Sequence, residues 1–224
     1  MRRQAGIVLA LLALAAVFVA LGVWQVQRLA WKTRLIAQTD RAIHAPPVDP
    51  AALPPGELTP YRRLAVSGHF LPQATTLVTG TSELGTGYWE LVPLANDRGG
   101  TVMINRGFLP QGSRIAAARA AVPAGPVHIE GLLRLTEPGG TWLRANQPAR
   151  DRWYSRDVAA IAARRGVVVD PRLFIDSWQA PVPGQPVGGL TIVAFPNSHL
   201  GYALTWFAMA LMALGGAVVT GRRP

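Results

Sequence analysis

The sequence predicts an α+β protein in which two transmembrane helices, one N-terminal and one C-terminal, bracket a mostly antiparallel β soluble domain with one or two short helices. Two observations predict the transmembrane helices: residues 5–24 and 199–220 each form an apolar segment without a charged side chain. At about 1.5 Å per residue, each can cross a hydrocarbon core of about 30 Å. A third observation predicts the domain, because short β-type runs bounded by turn residues recur between the two segments.

The first apolar segment has a competing interpretation as a cleaved secretory signal. Arg2 and Arg3 precede it, and residues 20–22 resemble a small-residue cleavage site. However, the segment exceeds the usual signal core of about 7 to 15 residues, and a Trp-containing sequence follows it without a break. We therefore expect an uncleaved membrane anchor.

Cysteine and charge content exclude several classes of protein. The chain has no cysteine, which excludes disulfides, thiolate metal sites, CxxC redox chemistry, cysteine-based copper delivery and CxxCH haem attachment. No copper site is therefore expected. The net charge is +10, but the basic residues are dispersed singly or in pairs and four of them lie at the extreme ends, which does not favour a nucleic-acid partner.

The terminal arginines indicate an orientation in the membrane. One arginine pair precedes the first span and another follows the second. The positive-inside rule then places residues 1–4 and 221–224 in the cytoplasm and the domain at residues 61–198 outside it. Three basic residues on the other flank of the first span oppose this assignment, so charge alone does not settle it: Arg28, Lys32 and Arg34.

The chain leaves the first span as a helix. Residues 25–44 contain good helix formers and no Gly or Pro, so a helical extension should run up to a Pro-rich linker at residues 45–60. Two later stretches are predicted to be helical, Ser113–Ala121 and Arg156–Arg165, the second with Ser155 as its N-cap and Gly166 at its end. Seven runs have β character: Arg63–Val66, Thr76–Val78, Tyr88–Pro93, Thr101–Asn105, Val127–Leu135, Leu173–Trp178 and Leu190–Phe195.

The sequence contains no supported catalytic motif. Residues 67–69 do not form a GxSxG elbow, and neither a Gly-rich phosphate loop nor an HExxH zinc signature occurs. A membrane-anchored Ser-Lys peptidase is a remote alternative, because the only lysine, Lys32, lies beside the first span and is expected to act as a snorkelling anchor. Hydrolase interpretations are therefore weakly supported.

His199 differs from the other histidines, His44, His69 and His128, none of which is spaced with another to form a metal site. It opens the second span, so its imidazole should lie in the first turn of a helix at the membrane surface. A helix N-terminus disfavours positive charge, and neutral imidazole is the form that binds metals. Tyr202 and Trp206 share its face and would suit a flat apolar cofactor, although a helix cap with an ordinary interfacial aromatic belt explains the same residues.

Distinctive motifs lie at the outer ends of both spans. Residues 22–28, GVWQVQR, precede Trp31-Lys32, and residues 198–207 read SHLGYALTWF. These resemble the GxWQxxR…WK and HLxYAxTWF signatures of the surfeit locus protein 1 family of cytochrome c oxidase assembly factors. Ser198 stands where that family often has Asn, and Phe108 where it often has Trp. Four further motifs follow the family's order: Tyr61-Arg62-Arg63, Gly68-His69-Phe70, Asn105-Arg106-Gly107 and Trp153-Tyr154.

The resemblance implies an assembly factor that is not an enzyme, that binds haem a at the outer membrane interface and that aids its insertion into subunit I of a haem-copper oxidase. It implies His199 as the axial ligand of the haem iron. Around it we expect Tyr202 and Trp206 against the macrocycle, Trp24 opposite, and Arg28 or Lys32 pairing the propionates.

The implied setting follows from the same resemblance. The expected partners are oxidase subunit I, the haem a synthase and membrane lipid, in a bacterial inner membrane or, in a eukaryote, the mitochondrial inner membrane. The alternative is a scaffold that holds subunit I or the haem synthase and never binds haem.

Overall fold

The computed structural model describes residues 2–54, 58–180, 182–191 and 193–222. It contains four α-helices within these residues: α1 Arg2–His44, α2 Ile115–Ala120, α3 Val158–Arg165 and α4 His199–Gly221. The strands are β1 Arg63–Phe70, β2 Thr76–Ser82, β3 Gly85–Asn96, β4 Thr101–Pro110, β5 Val127–Leu135 and β6 Leu173–Ser177. The chain forms two compact units, Met1–Gln38 with Val193–Pro224, and Thr39–Ile192. The predicted α+β architecture is confirmed.

Helices α1 and α4 are both long and apolar enough to cross a membrane. The 43 residues of α1 span about 65 Å, which is roughly twice the length needed to cross a hydrocarbon core. The predicted extension at 25–44 is therefore continuous with the first span in a single helix.

The two apolar helices pack against each other in antiparallel fashion. The contacts run in opposite directions along the two sequences, from Gln25 against His199 to Phe18 against Trp206. The buried residues of α4 repeat at intervals of three, four and seven, which is the seam spacing of left-handed helix packing: Ala203, Ala210, Ala213 and Ala217. Small side chains let the two backbones approach closely.

Gly22 lies in this seam against the ring of Phe207. A Cβ atom added there would lie 2.6 Å from Phe207 Cε1, whereas one added at Gly215 of α4 meets nothing within 4 Å. We expect Gly22→Leu to force the helices apart and to cost about 1–3 kcal/mol of stability. Thermal unfolding in detergent measures this, with Gly215→Leu as the matched control. Equal midpoints for the two variants would contradict the seam.

Five strands of the second unit close into a ring with one further strand attached. Strand β1 pairs with β5 along residues 63–68 and with β3 along residues 68–70, so the order β1-β5-β6-β4-β3 returns to β1. Within the described residues, β4–β6 is the parallel ladder and the others are antiparallel. This is the strand order of a small Greek-key barrel of the OB type, with β2 added beside β3.

Strand alternation divides the apolar residues of the barrel between two cores. Neighbouring residues such as Met103 and Ile104, or Phe174 and Ile175, point to opposite faces and enter different clusters. One cluster fills the ring, and the other packs α3 and Trp153 against the outside of β3, β4 and β6. The position of Trp153 is therefore set by packing, because its side chain is only 1% exposed.

Two sequence predictions are wrong in detail. Helix α3 is capped by Asp157, whose Oδ1 accepts a hydrogen bond from Ala160 N at 3.1 Å, while Ser155 Oγ donates to Glu137 O at 2.6 Å. The run Leu190–Phe195 forms no strand in its described residues, and Val187, just before it, is the residue that pairs with Phe108. Ile192 and parts of the predicted segments 1–4, 45–60 and 221–224 lie outside the described residues.

Candidate functional site

His199 lies at the start of α4 and forms a hydrogen bond with Gln25 of α1. The Nδ1 atom of His199 is 2.7 Å from Oε1 of Gln25, whose side chain is 9% exposed. An amide oxygen accepts hydrogen bonds, so it selects the imidazole tautomer that carries its proton on Nδ1. In the neutral ring the lone pair then resides on Nε2, which is the atom available to a metal.

This arrangement fits an axial haem ligand. A histidine that binds a metal usually donates its other ring N–H to an oxygen acceptor, which fixes the tautomer and the orientation of the ring. Gln25 provides that acceptor from the neighbouring helix. No role was predicted for Gln25 from the sequence. The signal for one is its polar side chain seven residues after Phe18, in an otherwise apolar seam.

The two aromatic residues of the predicted wall differ in exposure. Tyr202 is 57% exposed, one turn from His199, whereas Trp206 is half-buried and two turns away. The Trp206 ring stacks on Phe18 with centroids 5.7 Å apart and an interplanar angle of 29°. Trp206 therefore contributes to helix packing, whereas most of the Tyr202 side chain is exposed beside His199.

Trp24 lies on a face of α1 next to that of Gln25. Trp24 precedes Gln25 by one residue, which turns it about 100° around α1, and its side chain is 53% exposed. Arg28 lies beside Trp31, with its guanidinium carbon 4.1 Å from the ring centroid. Lys32 follows Gln25 by seven residues and lies on nearly the same face, two turns farther along.

The Asn-Arg-Gly motif of the barrel stabilises the fold. Asn105 Nδ2 donates to Asp176 Oδ1 at 2.6 Å, and Arg106 Nη1 donates to Glu90 Oε2 at 2.7 Å. Gly107 has a φ of 137°, and a Cβ atom there would collide with the backbone of Val187. The three residues thus connect β4 to β6, to β3 and to the segment at Val187.

Glu90 and Arg106 form a buried ion pair, with side chains 0% and 9% exposed. Burial raises the pKa of Glu90 to about 7, although the charge and hydrogen bond of Arg106 act in the opposite direction. Arg106 also donates to Ala121 O at 3.3 Å and to the Gln185 side chain, and its guanidinium lies over the Phe70 ring.

The raised pKa of Glu90 predicts a pH dependence of stability. Below the unfolded pKa of about 4.5 the carboxyl is protonated in both states, and as pH rises through about 7 the folded state must ionise a buried acid. The free energy of unfolding should therefore lose on the order of 3 kcal/mol from this group over that range. Unfolding curves at several pH values measure the slope. A Glu90→Gln variant with the slope of the wild type would contradict the prediction.

Comparison with known proteins extends over nearly the whole chain. A sequence model of the SURF1 family matches residues 12–211. Surfeit locus protein 1 of Rattus norvegicus is 35% identical over 221 residues, covering 89% of this chain and 70% of the rat protein. The Homo sapiens protein of that name is 34% identical over 213 residues, covering 85% and 69%. A SURF1-like protein of Monosiga brevicollis is 33% identical over 241 residues, covering 99% and 90%. The chain belongs to the SURF1 family.

Proposed function

We propose that this chain is a membrane assembly factor for a haem-copper oxidase and that it carries haem a as cargo for oxidase subunit I. The observation that supports the proposal best is the hydrogen bond between His199 Nδ1 and Gln25 Oε1. It leaves Nε2 as the metal-binding atom and fixes the ring, as in known metal-binding histidines. Family membership and the two apolar helices support a membrane protein of this kind.

A single histidine side chain is sufficient to bind a haem iron. Within the described residues, no group of three or more His, Cys, Asp or Glu side chains could hold a bare metal ion. A haem brings four nitrogen ligands of its own, so the protein needs to supply only one axial ligand. The chemistry of His199 therefore favours haem over a free ion.

The neighbouring residues have complementary roles in the proposal. His199 would ligate the iron through Nε2, Gln25 would orient the imidazole, and exposed Tyr202 would contact the macrocycle. Lys32 is a better candidate than Arg28 for a propionate, because it shares the face of Gln25 while Arg28 stacks on Trp31. Haem a would supply the redox iron of the oxidase, and this chain would only bind, orient and release it.

The competing function is a scaffold that holds oxidase subunit I or the haem a synthase without binding haem. In that case the hydrogen bond between Gln25 and His199 would serve only to hold two transmembrane helices together, as such bonds often do. The two functions differ in what a Gln25 variant should change.

Haem titration of the purified full-length protein tests the proposal. Removal of a partner that orients a metal ligand typically costs 10- to 100-fold in affinity, so we expect Gln25→Leu to weaken haem a binding by about that factor. Gln27→Leu is the matched control, because Gln27 is exposed on the same helix. Absence of saturable binding by the wild type would favour the scaffold. Equal affinities of the two variants would remove the role of Gln25.

A further inference from the structure

A rigid turn in the barrel unit presents two large apolar side chains to solvent. Trp142 is 93% exposed and Leu143 is 70% exposed, at the tip of the connection between β5 and β6. Neither residue belongs to a motif discussed above. Hydrogen bonds within the turn and at its base hold the two side chains in this exposed position.

Hydrogen bonds within the turn define its shape. Thr141 N donates to Arg144 O at 2.8 Å and Arg144 N donates to Thr141 O at 3.2 Å, while Arg144 N also donates to Thr141 Oγ1 at 3.1 Å. Just below, Gly140 and Ala145 form a β-bridge. Trp142 and Leu143 are therefore the two central residues of a closed turn, and the turn holds their side chains away from the core.

The base of the turn is anchored to the barrel unit by side chains. Asn146 Oδ1 accepts from Tyr154 N at 2.8 Å, and Asn146 Nδ2 donates to Ser155 Oγ at 3.0 Å. On the other side, Gly139 N donates to Asp157 Oδ2 at 2.8 Å. These hydrogen bonds already order the turn before any partner binds. A partner would therefore bind a preorganised surface, without the loss of conformational entropy that ordering a flexible loop requires.

Charge around the tip is positive. The sequence 138–150 contains no acidic residue, and Arg144, Arg150 and Arg152 are all exposed. The two flanking carboxylates are both paired with arginines. Glu137 Oε1 accepts a hydrogen bond of 2.6 Å from Arg156, and Asp151 accepts two of 2.8 Å from Arg165. The tip therefore combines an amphipathic ring, an aliphatic side chain and exposed arginines.

We propose that the Trp142-Leu143 turn docks on the lipid surface of a bilayer with anionic headgroups. Tryptophan favours the interfacial level of a membrane, and arginines near the surface are attracted by anionic lipid. The chain carries its own two apolar helices, so lipid is present at high effective concentration and weak docking suffices. The inference goes beyond haem carriage and does not depend on it.

The absence of cysteine makes a direct test possible, because one introduced cysteine labels one site. We would attach a nitroxide at Leu143→Cys in the full-length protein, reconstituted in nanodiscs with and without anionic lipid. Leu84→Cys is the matched control, since Leu84 is 58% exposed at the β2–β3 turn beside Glu83. Collision rates with oxygen and with a water-soluble nickel chelate report the depth of each label.

The proposal predicts that the label at position 143 collides several-fold less with the nickel chelate than the label at position 84. The difference should grow with anionic lipid and should disappear in Arg144→Glu and in Trp142→Ser. Equal, aqueous collision rates at both positions would overturn the proposal. Protection in native membranes but not in lipid nanodiscs would assign the turn to a protein partner instead. Protection that survives Trp142→Ser would show that the label, not the turn, enters the lipid.

Discussion

His199→Ala is expected to remove most of the haem a that reaches the oxidase when the variant replaces the wild-type protein in cells. The substitution removes the only atom proposed to bind iron, whereas the fold of the barrel does not depend on it. Haem a content and oxidase activity of isolated membranes measure the effect, and we expect a loss of at least about tenfold because an absent ligand costs more than a misplaced one.

A neighbouring variant provides the control for this prediction. Ser198→Ala changes the residue before the helix without removing a side-chain cap, since Ser198 makes no capping hydrogen bond. It should retain normal haem a levels. If His199→Ala membranes match those of Ser198→Ala while the variant is present at normal abundance, the protein acts as a scaffold and haem carriage is excluded.

Arg106→Met is expected to cost about 3–5 kcal/mol of stability, because it leaves the carboxylate of Glu90 buried without its partner. Folded proteins typically retain only about 5–15 kcal/mol in total, so the loss should be visible as a large fall in the unfolding midpoint. The loss should be smaller near pH 5 than near pH 8, because burial raises the pKa of Glu90 and lets it protonate.

Two further variants test the cause of that loss. Arg98 is 74% exposed and 3.7 Å from Asp49, so Arg98→Met should change stability by less than about 1 kcal/mol. The double variant Glu90→Gln with Arg106→Met should recover part of the stability, because no buried charge remains. A single Arg106→Met variant as stable as Arg98→Met would contradict the buried-pair account.

The same burial changes how the barrel motifs are interpreted. Variants at Arg106 or Trp153 would at first sight test a partner-binding surface of a scaffold. Both side chains are buried, so such variants report on folding rather than on partner capture. The exposed Trp142-Leu143 turn is a better place to separate a surface effect from unfolding.

Local sequence patterns predicted the spans and most strands well, because apolar length and alternation are properties of a single segment. Strand β5 has the predicted bounds, Val127–Leu135, and α3 ends at Gly166 as expected. Contacts between distant segments were harder to predict. The closure of β1 onto β3, the partner of Arg106 and the pairing of Val187 each depend on residues far apart in sequence.

In the candidate site, too, features of a single segment were predictable and contacts between distant segments were not. Position in the sequence was enough to single out His199 at the start of the second span. It was not enough to identify Gln25 as the partner of His199, because a difference of one residue turns a helical side chain by about 100°. Only the antiparallel packing of α1 and α4 places Gln25 against His199.

The visible spectrum of the full-length protein, purified from cells that make haem a, tests the central proposal most directly. The account predicts a Soret band and bound haem in the wild type, with both lost or the band clearly shifted in His199→Ala. Ser198→Ala should keep the wild-type spectrum. Unchanged haem content and an unchanged Soret band in His199→Ala would contradict the assignment of His199 as the iron ligand.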